Sequence, residues 1–263
     1  MPEFSTPRLI IRAAKHSLSF LKPNADGTAE RIPYTTKSGM SVAANLRTAV
    51  RELDVLANRD QRVLLSVCSP VSLIPVDEFM DDNMQEMSEL YDYTFTGHEH
   101  DEKVRNVLPE LNAIALYGVN KDLKLVANDH FADVRMQNLM MPVWMHLYRR
   151  SILSSQRRKL YCYFHDGIVD IFCFKQKRFA FANSFPVAHA HDALYFILFV
   201  WKQLAFNNED DELHLVGAMV HHDWLMTKLK QFLRRVYTIN PVADLNRAPI
   251  SQIEGLEYDM MLN

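Results

Sequence analysis

The second half of the chain carries the clearest alternation of apolar and polar positions. Leu160 to Phe164 is a short apolar run, and His165-Asp166-Gly167 follows it, the glycine being suited to a turn or bulge. Ile168 to Phe174 is a second run, broken only by Asp170. Gln176 and Lys177 mark a hairpin tip. Arg178 to Phe185 then alternates as a third strand, with Phe179, Phe181, Asn183 and Phe185 on one face, and Pro186 ends it. Ala193 to Trp201 is apolar without a break, yet much shorter than the about 20 residues of a membrane helix. It predicts a helix buried over most of its circumference. Leu213 to Val216 predicts a short strand entering Gly217, and Leu225, Leu229, Phe232 and Val236 have the spacing of an amphipathic helix over 224–236. Three antiparallel strands, a crossover helix, a parallel strand and a helix make a ribonuclease-H-like sheet.

The first half repeats this order. Leu9–Ile11 and Leu18–Leu21 predict two strands, with Asn24-Ala-Asp-Gly27 as a hairpin turn and Arg31–Thr36 as a third strand. Ser41 is placed to cap a helix whose face is Val42, Leu46, Ala49, Val50, Leu53 and Leu56. Val63–Val67 is a strand, and Pro70–Phe79 a further extended piece. Met80–Phe95 predicts an acidic helix that turns Met84, Met87, Tyr91 and Phe95 inward. Ala113–Val119 and Leu123–Ala127 predict a hairpin closed by Asn120-Lys-Asp122, and Val134–Leu153 a long helix. The polar, basic segment Ser151–Lys159 is the best boundary. The expected division is a first ribonuclease-H-like lobe over 1–152, with an insertion at about 70–110, a second lobe over 153–240, and an irregular tail over 241–263. The repeat lies in element order; no repeat of residues accompanies it.

Composition narrows the function classes without choosing one. The chain has 263 residues, is 48% hydrophobic and 23% charged, and carries a formal net charge of −3. That is globular composition with no global attraction for nucleic acid or anionic membrane. Cys68, Cys162 and Cys173 are odd in number and show no metal-ligand spacing. The N-terminal residues lack the basic and apolar regions of a signal peptide. A soluble cytoplasmic protein with no membrane span and no nucleic-acid partner is expected.

Two ribonuclease-H-like halves form the plan of the actin-like ATPase fold, an α/β architecture with a mixed sheet and flanking helices in each lobe. The segment Leu213-His-Leu-Val-Gly-Ala-Met219, with the helix after it, resembles the adenosine turn of that superfamily. The chain is similar to an uncharacterised bacterial domain-of-unknown-function family with this fold. More distantly it resembles the actin-like proteins of type IV pilus assembly and the cytoplasmic domains of type II secretion L-proteins. The resemblance implies an Asp-x-Gly phosphate loop between the first two strands of each lobe. Arg12-Ala13-Ala14 stand at the first and Tyr163-Phe164-His165 at the second, without the acid or the glycine. Of the paired glycines of the adenosine turn only Gly217 is present.

The candidate cleft residues are therefore His165, Asp166, Gly167 and Gly217, which would supply turn backbone and polar contacts; no catalytic residue is assigned and the cofactor is left open. His189, His191, Asp192, His221, His222 and Asp223 could meet around a metal ion. Asp192 and Asp223 would equally serve as helix first-turn acids, and no metal site is assigned. Asp166 and Asp170 suggest a two-metal nuclease only if the strand is unbroken across Gly167. The basic run Arg149, Arg150, Arg157, Arg158 and Lys159 reads as a solvated boundary. The first reading is a non-catalytic interaction or scaffold protein, a pseudo-ATPase whose protein partner is unidentified. The second is a nucleotide-binding protein or weak ATPase; the third is a metal-dependent hydrolase.

Overall fold

The computed structural model describes residues 8–24, 27–78, 84–154, 156–245 and 248–262. The N-terminal segment read for a leader, Ala25 and Asp26 of the expected turn, Phe79 at the end of the expected extended piece, residues 80–83 at the expected start of the acidic helix, and Ser155 of the boundary lie outside the described residues. The chain forms two compact units, Met1–Trp144 with Pro249–Asn263, and Met145–Ala248.

In the first unit β1 (Leu9–Ala13), β2 (Leu18–Pro23) and β3 (Ala29–Ile32) form an antiparallel meander, followed by α1 (Val42–Glu52) and β4 (Arg62–Val67). Ser41 caps α1, its hydroxyl accepting from Ala44 N at 3.2 Å. An insertion follows: β5 (Val71–Pro75), α2 (Met84–Thr94), β6 (Glu102–Leu108) and β7 (Ala113–Val119). Its antiparallel sheet runs β5-β7-β6, and Met84, Met87, Tyr91 and Phe95 pack on Ile74 and Leu116. Then come α3 (Lys121–His130), β8 (Asp133–Asn138) and α4 (Met140–Leu153), which leads into the second unit. The main sheet is ordered β3-β2-β1-β4-β8, with β1–β4 and β4–β8 parallel.

Every residue of β1 is buried, as a strand covered on both faces must be. Leu9, Ile11 and Ala13 join Leu46 and Ala49 of α1 and Leu123 and Ala127 of α3. Ile10 meets Leu256 and Met260 of the returning C-terminal segment. Full burial of such side chains stabilises by about 1.5–3 kcal/mol each.

The second unit repeats the topology: β9 (Lys159–His165), β10 (Ile168–Lys175), β11 (Arg178–Pro186), α5 (Ala190–Gln203), β12 (Glu212–Gly217), α6 (His222–Leu229), β13 (Val236–Thr238) and α7 (Pro241–Asp244). The sheet is ordered β11-β10-β9-β12-β13, with β9–β12 and β12–β13 parallel. Leu160, Cys162, Phe164, Val169, Ile171 and Cys173 face the helices, meeting Ile197 and Trp201 of α5 and Leu225 and Leu229 of α6. A last short helix, α8 (Tyr258–Met261), belongs to the first unit.

Four local expectations are corrected. Residues 123–127 lie in α3, not in a hairpin strand: Leu123, Val126 and Ala127 are buried at helical spacing, and Asn120 caps the helix by accepting from Leu123 N at 3.1 Å. The long helix begins only at Met140, because Val134 to Asn138 pair in parallel with Val63 to Val67 as β8. The helix expected to reach Val236 stops at Leu229; Val236 opens β13 against Leu213. Phe179 does not share a face with Phe181 and Phe185. The register of β11 on β10 shifts at Cys173/Phe174, a bulge at Ala180, so Phe179 packs on Phe174 at 5.3 Å.

Candidate functional site

The carboxyl ends of β9 and β12 gather the four candidate cleft residues of the second unit. β9 and β10 are joined by a two-residue turn in which Asp166 has φ 44 and Gly167 φ 75, the left-handed pair that an Asp-Gly type I′ hairpin requires. His165 precedes it. Tyr163, Asp170 and Ser184 lie directly opposite one another across β9, β10 and β11, and therefore point to one face. His165 lies two residues beyond Tyr163, on that same face.

The result is a polar cluster set around Asp170. His165 Nε2 is 2.6 Å from Asp170 Oδ2, and its Nδ1 is 3.0 Å from Asp166 Oδ2. The Ser184 hydroxyl donates to the other oxygen of Asp170, and the Tyr163 ring stacks on His165 at 5.0 Å. His165 and Asp170 are buried. Both imidazole nitrogens face carboxylates, so the doubly protonated ring donates to both and the neutral ring to one.

Gly217 enters this region through backbone. It pairs with Phe164 and has φ 88; an added Cβ would stand 2.3 Å from Phe164 O and 3.0 Å from the Tyr163 ring. Ala218 N donates to that same carbonyl at 3.1 Å. Gly217 is thus where β12 ends tightly against β9. Of the four residues, His165 and Asp166 are in contact, Gly167 shapes the turn, and Gly217 packs on the strand beside them.

Asp170 and Ser184 complete the cluster and were not among the candidate cleft residues. The signal for Asp170 was its place as the single acid in an apolar run; Ser184 becomes legible only once the strand register is known.

At the matching end of β1 in the first unit stands Arg12. Its guanidinium is buried, Nε lying 2.9 and 3.1 Å from the two oxygens of the buried Asp259. The loop between β1 and β2 is Ala14-Lys15-His16-Ser17. Beside it lies a cleft of about 350 Å³ lined by Lys15, His16, Thr36, Lys37 and Gly39, and among its described lining residues none is acidic.

The remaining candidates disperse. Asp192 and His189 form a capping box at the start of α5; His191 packs on Trp224 at 4.3 Å; His222 bonds to Asp223 and Thr238. Among the described residues these histidines do not gather with the acids into a three-ligand group. Three cations of the basic run are paired within the second unit: Arg150 with Asp244, Arg157 with Glu212 and Arg158 with Asp211. Burial pushes the Cys162 thiol up, and the Cys173 thiol up to about 11, both away from thiolate chemistry. No helix among the described residues is long and apolar enough to cross a membrane.

Two ribonuclease-H-like sheets of identical strand order in one chain define an actin-like ATPase fold. A protein of Bacteroides thetaiotaomicron with an actin-like ATPase fold and unknown function superimposes at a TM-score of 0.81 and 27% identity, over 97% of this chain and 100% of its own. The PilM–PilN type IV pilus biogenesis complex contains a chain that matches at a TM-score of 0.59 and 11% identity, over 97% of each chain, which supports the fold alone. No curated protein matches the sequence. The chain belongs to the family described as a protein of unknown function, DUF3822, whose model matches residues 4–236.

Proposed function

We propose that this is a non-catalytic actin-like protein of the cytoplasm that works by binding another protein. The observation that carries the reading is Arg12. At the end of β1, where the resemblance calls for an acid that helps hold hydrated Mg²⁺, the chain has a cation whose charge is matched internally by Asp259. Like charge repels the metal, and a carboxylate already bonded to arginine is a poor ligand for it. Tyr163, at the corresponding place in β9, offers a ring to His165 in place of a carboxylate. The same fold serves PilM in a complex with PilN; the partner of this chain is a protein not yet identified.

A second reading, nucleotide binding without this acid, draws on the convergence of His165, Asp166, Gly167 and Gly217 at the strand ends. Thermal unfolding with and without Mg²⁺-ATP separates the two. A ligand at roughly a hundredfold excess over its dissociation constant stabilises the native state by about 2.7 kcal/mol. The non-catalytic reading expects no shift at millimolar ATP. A Mg²⁺-dependent rise in the midpoint that Asp166→Ala abolishes overturns it in favour of the second.

A further inference from the structure

The outer strand of the second sheet is an open edge. Among the described residues β11 pairs with β10 alone, so alternate N–H and C=O groups face away from the sheet. Edges are commonly protected by charge or proline, yet residues 179–185 contain neither. The bulge at Ala180 disturbs only the start of the strand, and from Phe181 to Pro186 the register is regular. Asn183 and Ser184 are exposed.

Three further features sit on this edge. The sequence Phe181-Ala-Asn-Ser-Phe185 is nearly the same read in either direction about Asn183. Phe185 stacks on Phe196 at 4.6 Å, Phe196 meets Tyr195 at 5.3 Å, and Tyr195 stacks on Phe199 at 6.0 Å. This aromatic path ends in solvent, Tyr195 being 62% and Phe199 45% exposed. The two ends of the strand also differ in charge: Lys175, Lys177 and Arg178 stand at its start, while Pro186, at its end, pairs with Ile168 beside the Asp166 turn and leads to Asp192.

We infer that β11 pairs with β11 of a second copy, antiparallel about a twofold axis at Asn183, joining two five-stranded sheets into one. In that register Phe181 of each copy lies opposite Phe185 of the other, and Ala182 opposite Ser184. The basic end of each strand then lies against the acidic end of the other. The interface is isologous, as a twofold demands, and aromatic cross-strand pairs are favourable. The near-palindrome and the opposed end charges fit a second copy, whereas a foreign strand would need neither. The inference goes beyond the proposed function and stands whether or not nucleotide binds.

Sedimentation equilibrium of the full chain over a wide concentration range tests it. The expected result is a reversible dimer of the 30.6 kDa chain. Asn183→Lys changes an exposed side chain, so the fold is retained, as circular dichroism would check. It sets two cations at the axis and weakens the dimer roughly tenfold or more. In a Cys68→Ser background, Asn183→Cys cross-links across the axis on mild oxidation, and Lys177→Cys at the hairpin tip does not. A monomer at every concentration overturns the inference. So does a dimer indifferent to Asn183→Lys, or cross-linking through Lys177→Cys without Asn183→Cys.

Discussion

Arg12 and Asp259 form a buried ion pair across 247 residues of sequence, joining the first strand of the chain to its last helix. Both side chains are withdrawn from water, and each faces the opposite charge of the other. Removing one leaves an uncompensated buried charge. Arg12→Met or Asp259→Leu alone is expected to cost about 3–5 kcal/mol, and the double variant markedly less than the sum. Urea unfolding of the three variants measures this; additive losses would show that the two groups are not coupled.

The two glycines of the candidate site have different jobs and should differ in tolerance. Gly167→Ala meets open space, its nearest heavy atom 4.0 Å away, so only its φ of 75 counts; about 1 kcal/mol is expected. Gly217→Ala adds a collision with Phe164 O to a φ of 88, and a loss above about 3 kcal/mol is expected. Denaturant midpoints of the pair decide it, and equal losses would mean that the contact of β12 with β9 relaxes freely.

Asp170 holds His165 and Ser184 from two sides. Asp170→Ala removes one of the two carboxylates that face the buried His165 imidazole, together with the acceptor of the Ser184 hydroxyl, and should cost about 2–3 kcal/mol. Asp170→Asn keeps an oxygen for one of them and should cost less. Thermal midpoints order the two variants; equal losses for Asn and Ala would show that the carboxylate's charge, and not its place as an acceptor, sets the cost.

His214 gives the fold a dependence on pH. Its ring lies between Tyr161 at 5.2 Å and Tyr237 at 5.4 Å. Burial lowers its pKa below the ordinary 6.5, against the opposing pull of Glu212. The unfolded chain therefore takes up the proton more readily than the folded one. This contribution to stability is complete above 6.5 and is lost as the pH falls through the lower folded value. His214→Phe keeps a ring in the stack and should flatten the fall in urea midpoint from neutral to mildly acid pH. An unchanged slope would assign that fall to other groups.

Much of this was legible along the chain, and the failures share a cause. The run from Lys159 to Gly217 declares its strands because each apolar segment is bounded by a turn signal, as Asp166-Gly167 and Gln176-Lys177 are. Residues 123–127 are too few to show whether their period is 2 or 3.6, and the cap at Asn120, together with β5 and β6 already flanking β7, settles them as helix. Val134–Asn138 look helical beside Met140–Leu153 until β4 supplies a parallel partner. The candidate site divides in the same way: the turn residues announce themselves locally, while Asp170 and Ser184 become neighbours of His165 only through the register of three strands.

The sequence by itself determined the order of strands and helices from β9 to α6 in the second unit, the Asp-Gly and Gln-Lys hairpins and the Ser41 cap, because turns, caps and periodicity depend on residues a few positions apart. Only the tertiary structure decided that Phe179 leaves the face of Phe181, that Gly217 is pressed against Phe164, and that Arg12 is answered by Asp259. Those outcomes depend on which strands meet and in what register, and contacts between residues distant in sequence are selected by the packing of whole sheets, to which no local pattern gives access.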